Sequence, residues 1–139
     1  MKVKDVMHKG AASVAPEATI RECAQQMKTL DIGVLPVKSN GAILGIITDR
    51  DIAVRGVAAG VDLAKVATKS LMTKQTFTCS ADDDLDDAIK VMKMKKVRRL
   101  PVANSKGELV GMLSLGDLCA SATDATLKSV VKAVAAHHA

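Results

Sequence analysis

Aromatic side chains are almost missing from this 139-residue chain: Phe77 stands alone, with no Trp and no Tyr. Modules that bind RNA or single strands stack bases on aromatic platforms, so the composition speaks against that class. A core has to be assembled from Val, Ile, Leu, Met and Ala, and with 48% apolar residues the material is there. Cysteine is scarce too. Cys23, Cys79 and Cys119 are odd in number, far apart and form no C-x-x-C, which argues against a zinc site and a disulfide framework. Three reduced thiols in a cytoplasmic protein, with no intramolecular disulfide, are expected. No stretch approaches the ~20 apolar residues of a membrane span. Met1-Lys2-Val3-Lys4-Asp5 lacks the apolar run of a signal peptide. No Ser/His/Asp or Cys/His set is visible and His8 has no placed partner, so neither an enzyme nor a required cofactor or metal is expected. The net charge of +5 suits a small anionic ligand and is too diffuse to demand nucleic acid.

What the chain does have is one turn, written twice. Gly45-Ile46-Ile47-Thr48-Asp49-Arg50-Asp51 reads as a buried strand entering a helix, with the glycine letting the chain turn in. Thr48 sits where an N-cap belongs and Asp51 lies three residues on, so both side chains project from the helix start. Such a start offers free N–H groups and the positive end of a helix dipole, which suit an anion. Gly111-Met112-Leu113-Ser114-Leu115-Gly116-Asp117 repeats the pattern.

The repeat extends over most of the sequence. Met7 and Met72 are 65 residues apart, as are Met27 and Met92, and Leu35-Pro36-Val37 and Leu100-Pro101-Val102. From Gly45 and Gly111 onward the spacing is 66, so one residue has been inserted in Ala103-Asn104-Ser105-Lys106-Gly107 relative to Lys38-Ser39-Asn40-Gly41. Loops tolerate such insertions, which predicts a turn there in both copies. In the first copy Ala12–Val14 is a brief strand. Thr19 caps a helix with Glu22 at capping-box spacing, and Ile20, Cys23, Ala24, Met27 and Leu30 form its apolar face. Val34–Val37 and Ile43–Ile47 form a hairpin about Asn40-Gly41, and Thr48–Ala58 is a second helix. In the second copy Phe77–Cys79 is the strand and Ser80 caps a helix rich in Asp at its start. Leu85, Ala88, Ile89 and Met92 face inward, and Leu100–Ala103 with Glu108–Leu113 form the hairpin. The acidic cluster Asp82 to Asp87 complements the helix dipole; sequential acids on a helix fan out, whereas metal ligands must converge. Met7, Met72, Met92, Met94 and Met112 read as core fillers. Residues 123–139 read as an Ala-rich helix with Val130, Val131 and Val134 on one side and His137 and His138 in solvent.

The expected fold class is α+β, two β-α-β-β-α repeats packed sheet to sheet with pseudo-two-fold symmetry. The expected division is 1–66 for repeat one, 67–122 for repeat two and 123–139 for a helical tail. Neither repeat is large enough to bury a sizeable core alone.

On the paired Leu-Pro-Val strands and the paired turns, the chain resembles a pair of cystathionine-β-synthase (CBS) domains, covering it to about Ala122. The resemblance implies a regulatory module with clefts between the repeats that hold adenosine-containing ligands: AMP, ADP or ATP, with S-adenosylmethionine or NAD as relatives. It implies roles residue by residue. Asp51 and Asp117 would accept from ribose hydroxyls, Thr48 and Ser114 would meet ribose or phosphate, and Ile46 and Met112 would lie against adenine. Ile32 and Val97 would close the opposite repeat's cleft, and Arg99, with Arg98 beside it, would meet phosphate. The chemistry agrees: a ribose diol needs a bidentate acceptor, and a phosphate is matched by a planar guanidinium. Repeat one departs from the pattern, with Val34 where repeat two has Arg99; Arg50, inside the turn, is a candidate substitute whose direction the sequence does not fix. The two sites should therefore differ. The family also implies a homodimer, and with no attached output domain in the sequence the signal is expected to pass to an effector protein.

Two other readings compete. Helix capping alone is the lesser alternative for Thr48, Asp51, Ser114 and Asp117, and would make the chain a structural module with vestigial clefts. The basic run Lys90, Lys93, Lys95, Lys96, Arg98 and Arg99 reads as a solvated face, or as a nucleic-acid patch whose binding would fall steeply with salt.

Overall fold

The computed structural model describes residues 1–10, 12–74, 77–121 and 124–138, with side chains for all of these except 124, 126 and 136–138. The chain forms two compact units that do not follow the sequence halves: one is Ala12–Thr76, the other Met1–Ala11 joined with Phe77–Ala139. Each repeat therefore receives its leading segment from the stretch before the other repeat.

The unit Ala12–Thr76 contains α1 (Ile20–Leu30), the hairpin β2 (Val34–Ser39) and β3 (Ala42–Thr48), α2 (Asp49–Asp51) and α3 (Thr68–Leu71). Thr19 caps α1 as its spacing predicts: its hydroxyl accepts the Glu22 N–H at 3.2 Å and Glu22 reaches back to the Thr19 N–H. Asn40 and Gly41 turn the hairpin at φ +51° and +81°, the left-handed pair a tight two-residue turn requires. The two-stranded sheet is extended by single bridges, Val14 beside Val37 in parallel and Thr73 beside Ile46 in antiparallel. Ile20, Cys23, Leu35, Val37 and Ile47 are the centre of the core. Helix α2 widens at once into a π-helical stretch, Ile52–Val57, so the second helix runs over Asp49–Val57 in two geometries.

The other unit holds β1 (His8–Lys9), β4 (Cys79–Ser80), α4 (Leu85–Lys95), β5 (Arg99–Ala103), β6 (Leu109–Ser114), α5 (Leu115–Cys119) and α6 (Asp124–His138). Its sheet has the order β1-β6-β5-β4, the same arrangement with all four strands formed. The inserted residue is absorbed in the β5–β6 loop, where Asn104 Oδ1 accepts the N–H groups of Lys106 and Glu108, both at 2.9 Å. The N-terminal arm is sewn on by backbone: Val3 N–H donates to Asp83 C=O at 3.0 Å and Leu85 N–H to Met1 C=O at 2.9 Å. Val3 is fully buried, and Lys2 and Lys4 pair with Asp84 and Asp82 at 3.0 and 3.1 Å. Helix α6 is part of this unit, with Val130 and Val134 in its core beside Leu100, Leu113 and Leu118.

Several expectations are corrected. Ser80 does not cap α4. It ends β4, its N–H donates to Asp83 Oδ2 at 2.9 Å, and the helix begins only at Leu85 with Asp84 as N-cap. The strands of the second hairpin start one residue from the expected positions. Met94 is 77% exposed rather than a core filler, because it lies on the α4 face opposite Ile89 and Met92. Val131 faces outward for the same reason of helical phase, unlike Val130 and Val134. Cys119 is exposed, while Cys23 and Cys79 are buried; all three are free thiols. The side chains of His137 and His138 lie outside the described residues. Among the described residues no helix is long and apolar enough to cross a membrane.

Candidate functional site

Both turns form as capping boxes. In repeat one Thr48 Oγ1 accepts the Asp51 N–H at 3.1 Å and Asp51 Oδ2 accepts the Thr48 N–H at 3.0 Å. In repeat two Ser114 Oγ accepts the Asp117 N–H at 3.2 Å and Asp117 Oδ2 accepts the Ser114 N–H at 2.8 Å. The repeated glycine has a role the sequence did not reveal. Gly45 lies within β3, and a Cβ there would collide with the Thr73 carbonyl; at Gly111 it would collide with the His8 carbonyl. These glycines admit a third strand rather than turning the chain.

Register then places the side chains. Residues directly opposite on a ladder share a face of the sheet. Arg99 lies opposite Ser114, and Met112 opposite Pro101 and His8. In repeat one Val34 lies opposite Thr48, and Ile46 opposite Pro36 and Thr73. The alternate residues, Leu100 with Leu113 and Leu35 with Ile47, fill the cores. Each turn thus sits at the end of a sheet face that carries an apolar residue two positions back. Arg99 is half-buried and Arg98 exposed; Arg98 C=O accepts the Leu115 N–H at 2.8 Å, continuing the pairing beyond the strand. Arg50 is exposed, and its backbone N–H donates to Asp49 Oδ1 at 2.9 Å. Ile32 and Val97 are half-buried, each packed against the core of its own unit.

The helix starts are weaker anion sites than the sequence suggests. Helix α5 has five residues and α2 three before it widens, so neither adds up many peptide dipoles along one axis.

The two carboxylates also differ in environment. Asp117 is half-buried, and its hydrogen-bond partner is Ser114. Asp51 is only 7% exposed. Its oxygens accept the Thr73 hydroxyl at 3.1 and 3.2 Å, and Arg55 Nε lies 3.9 Å from Oδ1. Arg55 Nη1 in turn donates to the carbonyls of Leu71 and Met72, at 3.2 and 3.1 Å. Sequence reasoning did not find Thr73 or Arg55. Thr73 reaches Asp51 only through the return of its strand past Gly45. Arg55, four residues along the helix, carries the one spacing signal that could have marked it.

A sequence-family model described as CBS domain matches residues 3–56 and again 68–124. A CBS domain-containing protein of Bacillus subtilis, YhcV, is 38% identical over 116 residues, which is 84% of this chain and 81% of that protein. A CBS domain protein from Pyrobaculum aerophilum, solved in complex with AMP, superimposes with a TM-score of 0.78 at 26% identity, covering 95% of this chain and 99% of that one. The CBS domain pair of protein MJ0100, in complex with 5′-methylthioadenosine and S-adenosyl-L-methionine, gives a TM-score of 0.75 at 26% identity over 86% of this chain and 94% of that one.

Proposed function

This chain belongs to the CBS-domain family, and from that premise we propose that it senses an adenosine-containing ligand and passes its state to a partner protein. The observation that carries the reading is the half-buried Asp117 at the Ser114 turn, with Arg99 across the ladder and Met112 two residues back on the same face. That set matches the parts of a nucleotide: a carboxylate for the ribose diol, a guanidinium for phosphate, an apolar wall for the base. Relatives of the same fold bind AMP in one case and S-adenosyl-L-methionine with 5′-methylthioadenosine in another, which supports the ligand class. Exposed Leu30, Val54 and Val57 on the first unit's helices support a contact with a second copy or an effector.

The lone aromatic argues against a nucleic-acid module, because Phe77 is covered by Lys95 Nζ, 5.6 Å from the ring centroid, instead of offering a free stacking face. A thermal-shift panel of AMP, ATP, NAD and S-adenosyl-L-methionine tests the reading. Stabilisation by at least one of them, lost in Asp117→Ala, is expected; no shift with any would leave a structural module.

A further inference from the structure

We infer that Thr73, backed by Arg55, withholds the Asp51 carboxylate from ligand, so that only one of the two equivalent acidic residues is on offer. The inference rests on the adenosine-sensor reading and assigns a specificity role within it. A carboxylate has about four lone-pair directions. At Asp51 the capping N–H of Thr48 takes one on Oδ2, and the Thr73 hydroxyl bridges both oxygens at 3.1 and 3.2 Å. Arg55 covers the Oδ1 side at 3.9 Å and is itself anchored on the Leu71 and Met72 carbonyls. A ribose diol needs both oxygens, so it must first expel the Thr73 hydroxyl from a nearly buried site.

The equivalent positions in repeat two lack these groups. His8 occupies the ladder position of Thr73, opposite Met112 as Thr73 is opposite Ile46. Ser121 stands 66 residues from Arg55, where the repeat places its counterpart. Among the described residues His8 makes no hydrogen bond or ion pair with Asp117. Around the two carboxylates, the difference between the sites therefore lies in two residues outside the repeated turn. Breaking a hydrogen bond to a charged group in such a place weakens binding about tenfold to a hundredfold.

The test is titration calorimetry with AMP on Asp117→Ala, which isolates repeat one, with and without Thr73→Val, which keeps the shape and removes the donor. Thr73→Val should tighten AMP binding at least about tenfold on that background. Asp51→Ala should erase the gain, and Thr73→Ser should show none. If Thr73→Val binds AMP no better than its Asp117→Ala parent, while its melting curve shows it folded, the inference is wrong. The outcome is separable from the sensor reading, because wild-type binding that survives Asp117→Ala undamaged refutes the assignment of Asp117 whatever Thr73→Val does.

Discussion

Replacing Asp51 by alanine should destabilise the protein about two and a half times as much as replacing Asp117, although the sequence presents them as equals. Each substitution removes a charge-assisted hydrogen bond to a capping N–H, Thr48 in one case and Ser114 in the other. Such a cap is worth about 1 kcal/mol at an accessible helix start. Asp51→Ala removes a second bond, from the Thr73 hydroxyl, at a side chain only 7% exposed. It also leaves Arg55 beside an empty position, held by two carbonyls. A hydrogen bond to a charged group contributes roughly 1.5–3 kcal/mol, and the lower end applies at this partly wet edge. The expected losses are therefore about 1 kcal/mol for Asp117→Ala and about 2.5 kcal/mol for Asp51→Ala. For a chain of this size 1 kcal/mol shifts Tm by about 3 °C, so the two variants should melt about 5 °C apart. Urea denaturation followed by far-UV circular dichroism, with melting as a second measure, reads the difference. Equal losses would mean that the Thr73 contact contributes nothing and that the two turns are energetically alike. A larger loss from Asp117→Ala would reverse the ranking of the two sites.

Three further outcomes are expected. Arg99→Ala should weaken AMP by about tenfold to a hundredfold and leave adenosine nearly unchanged, as a phosphate contact demands; equal losses in calorimetry would remove the arginine from the phosphate. Ellman's reagent should titrate Cys119 fast in the native protein and all three thiols only in denaturant, since burial raises the Cys23 pKa and pushes Cys79 up to about 12, leaving it protonated at neutral pH; more than one fast thiol would contradict the burial. The N-terminal arm should loosen at both pH extremes. The Lys2 hydrogen bond holds the Asp84 carboxyl below its ordinary value and the same bond holds Lys2 above its own. The Asp84 contribution is complete above about pH 3.9 and lost as pH falls through its lower folded value; that of Lys2 is complete below about pH 10.4 and lost above its raised value. Hydrogen exchange at the Val3 and Leu85 amides, corrected for intrinsic rate, should rise at both ends, and a flat profile would show that the pair does not help hold the arm.

The doubling and most of the elements are legible in the residues alone. Offsets of 65 and 66 residues, the capping spacings of Thr19-Glu22, Thr48-Asp51 and Ser114-Asp117, and the left-handed Asn40-Gly41 pair are local facts, and local chemistry fixes them whatever lies nearby. Tertiary structure decided what local pattern cannot encode. The arm Met1–Lys9 joins the unit of repeat two because Val3 finds its burial there, and the segment around Thr73 joins repeat one because Gly45 leaves room for its carbonyl. Met94, Val131 and Cys119 turned outward because an apolar residue is buried only where a neighbouring element covers its face of the helix. The inequality of Asp51 and Asp117 belongs to the same class. Two carboxylates at identical places in a repeated turn are set apart by Thr73, a residue twenty-two positions away, whose hydroxyl arrives only when the third strand is laid beside the second.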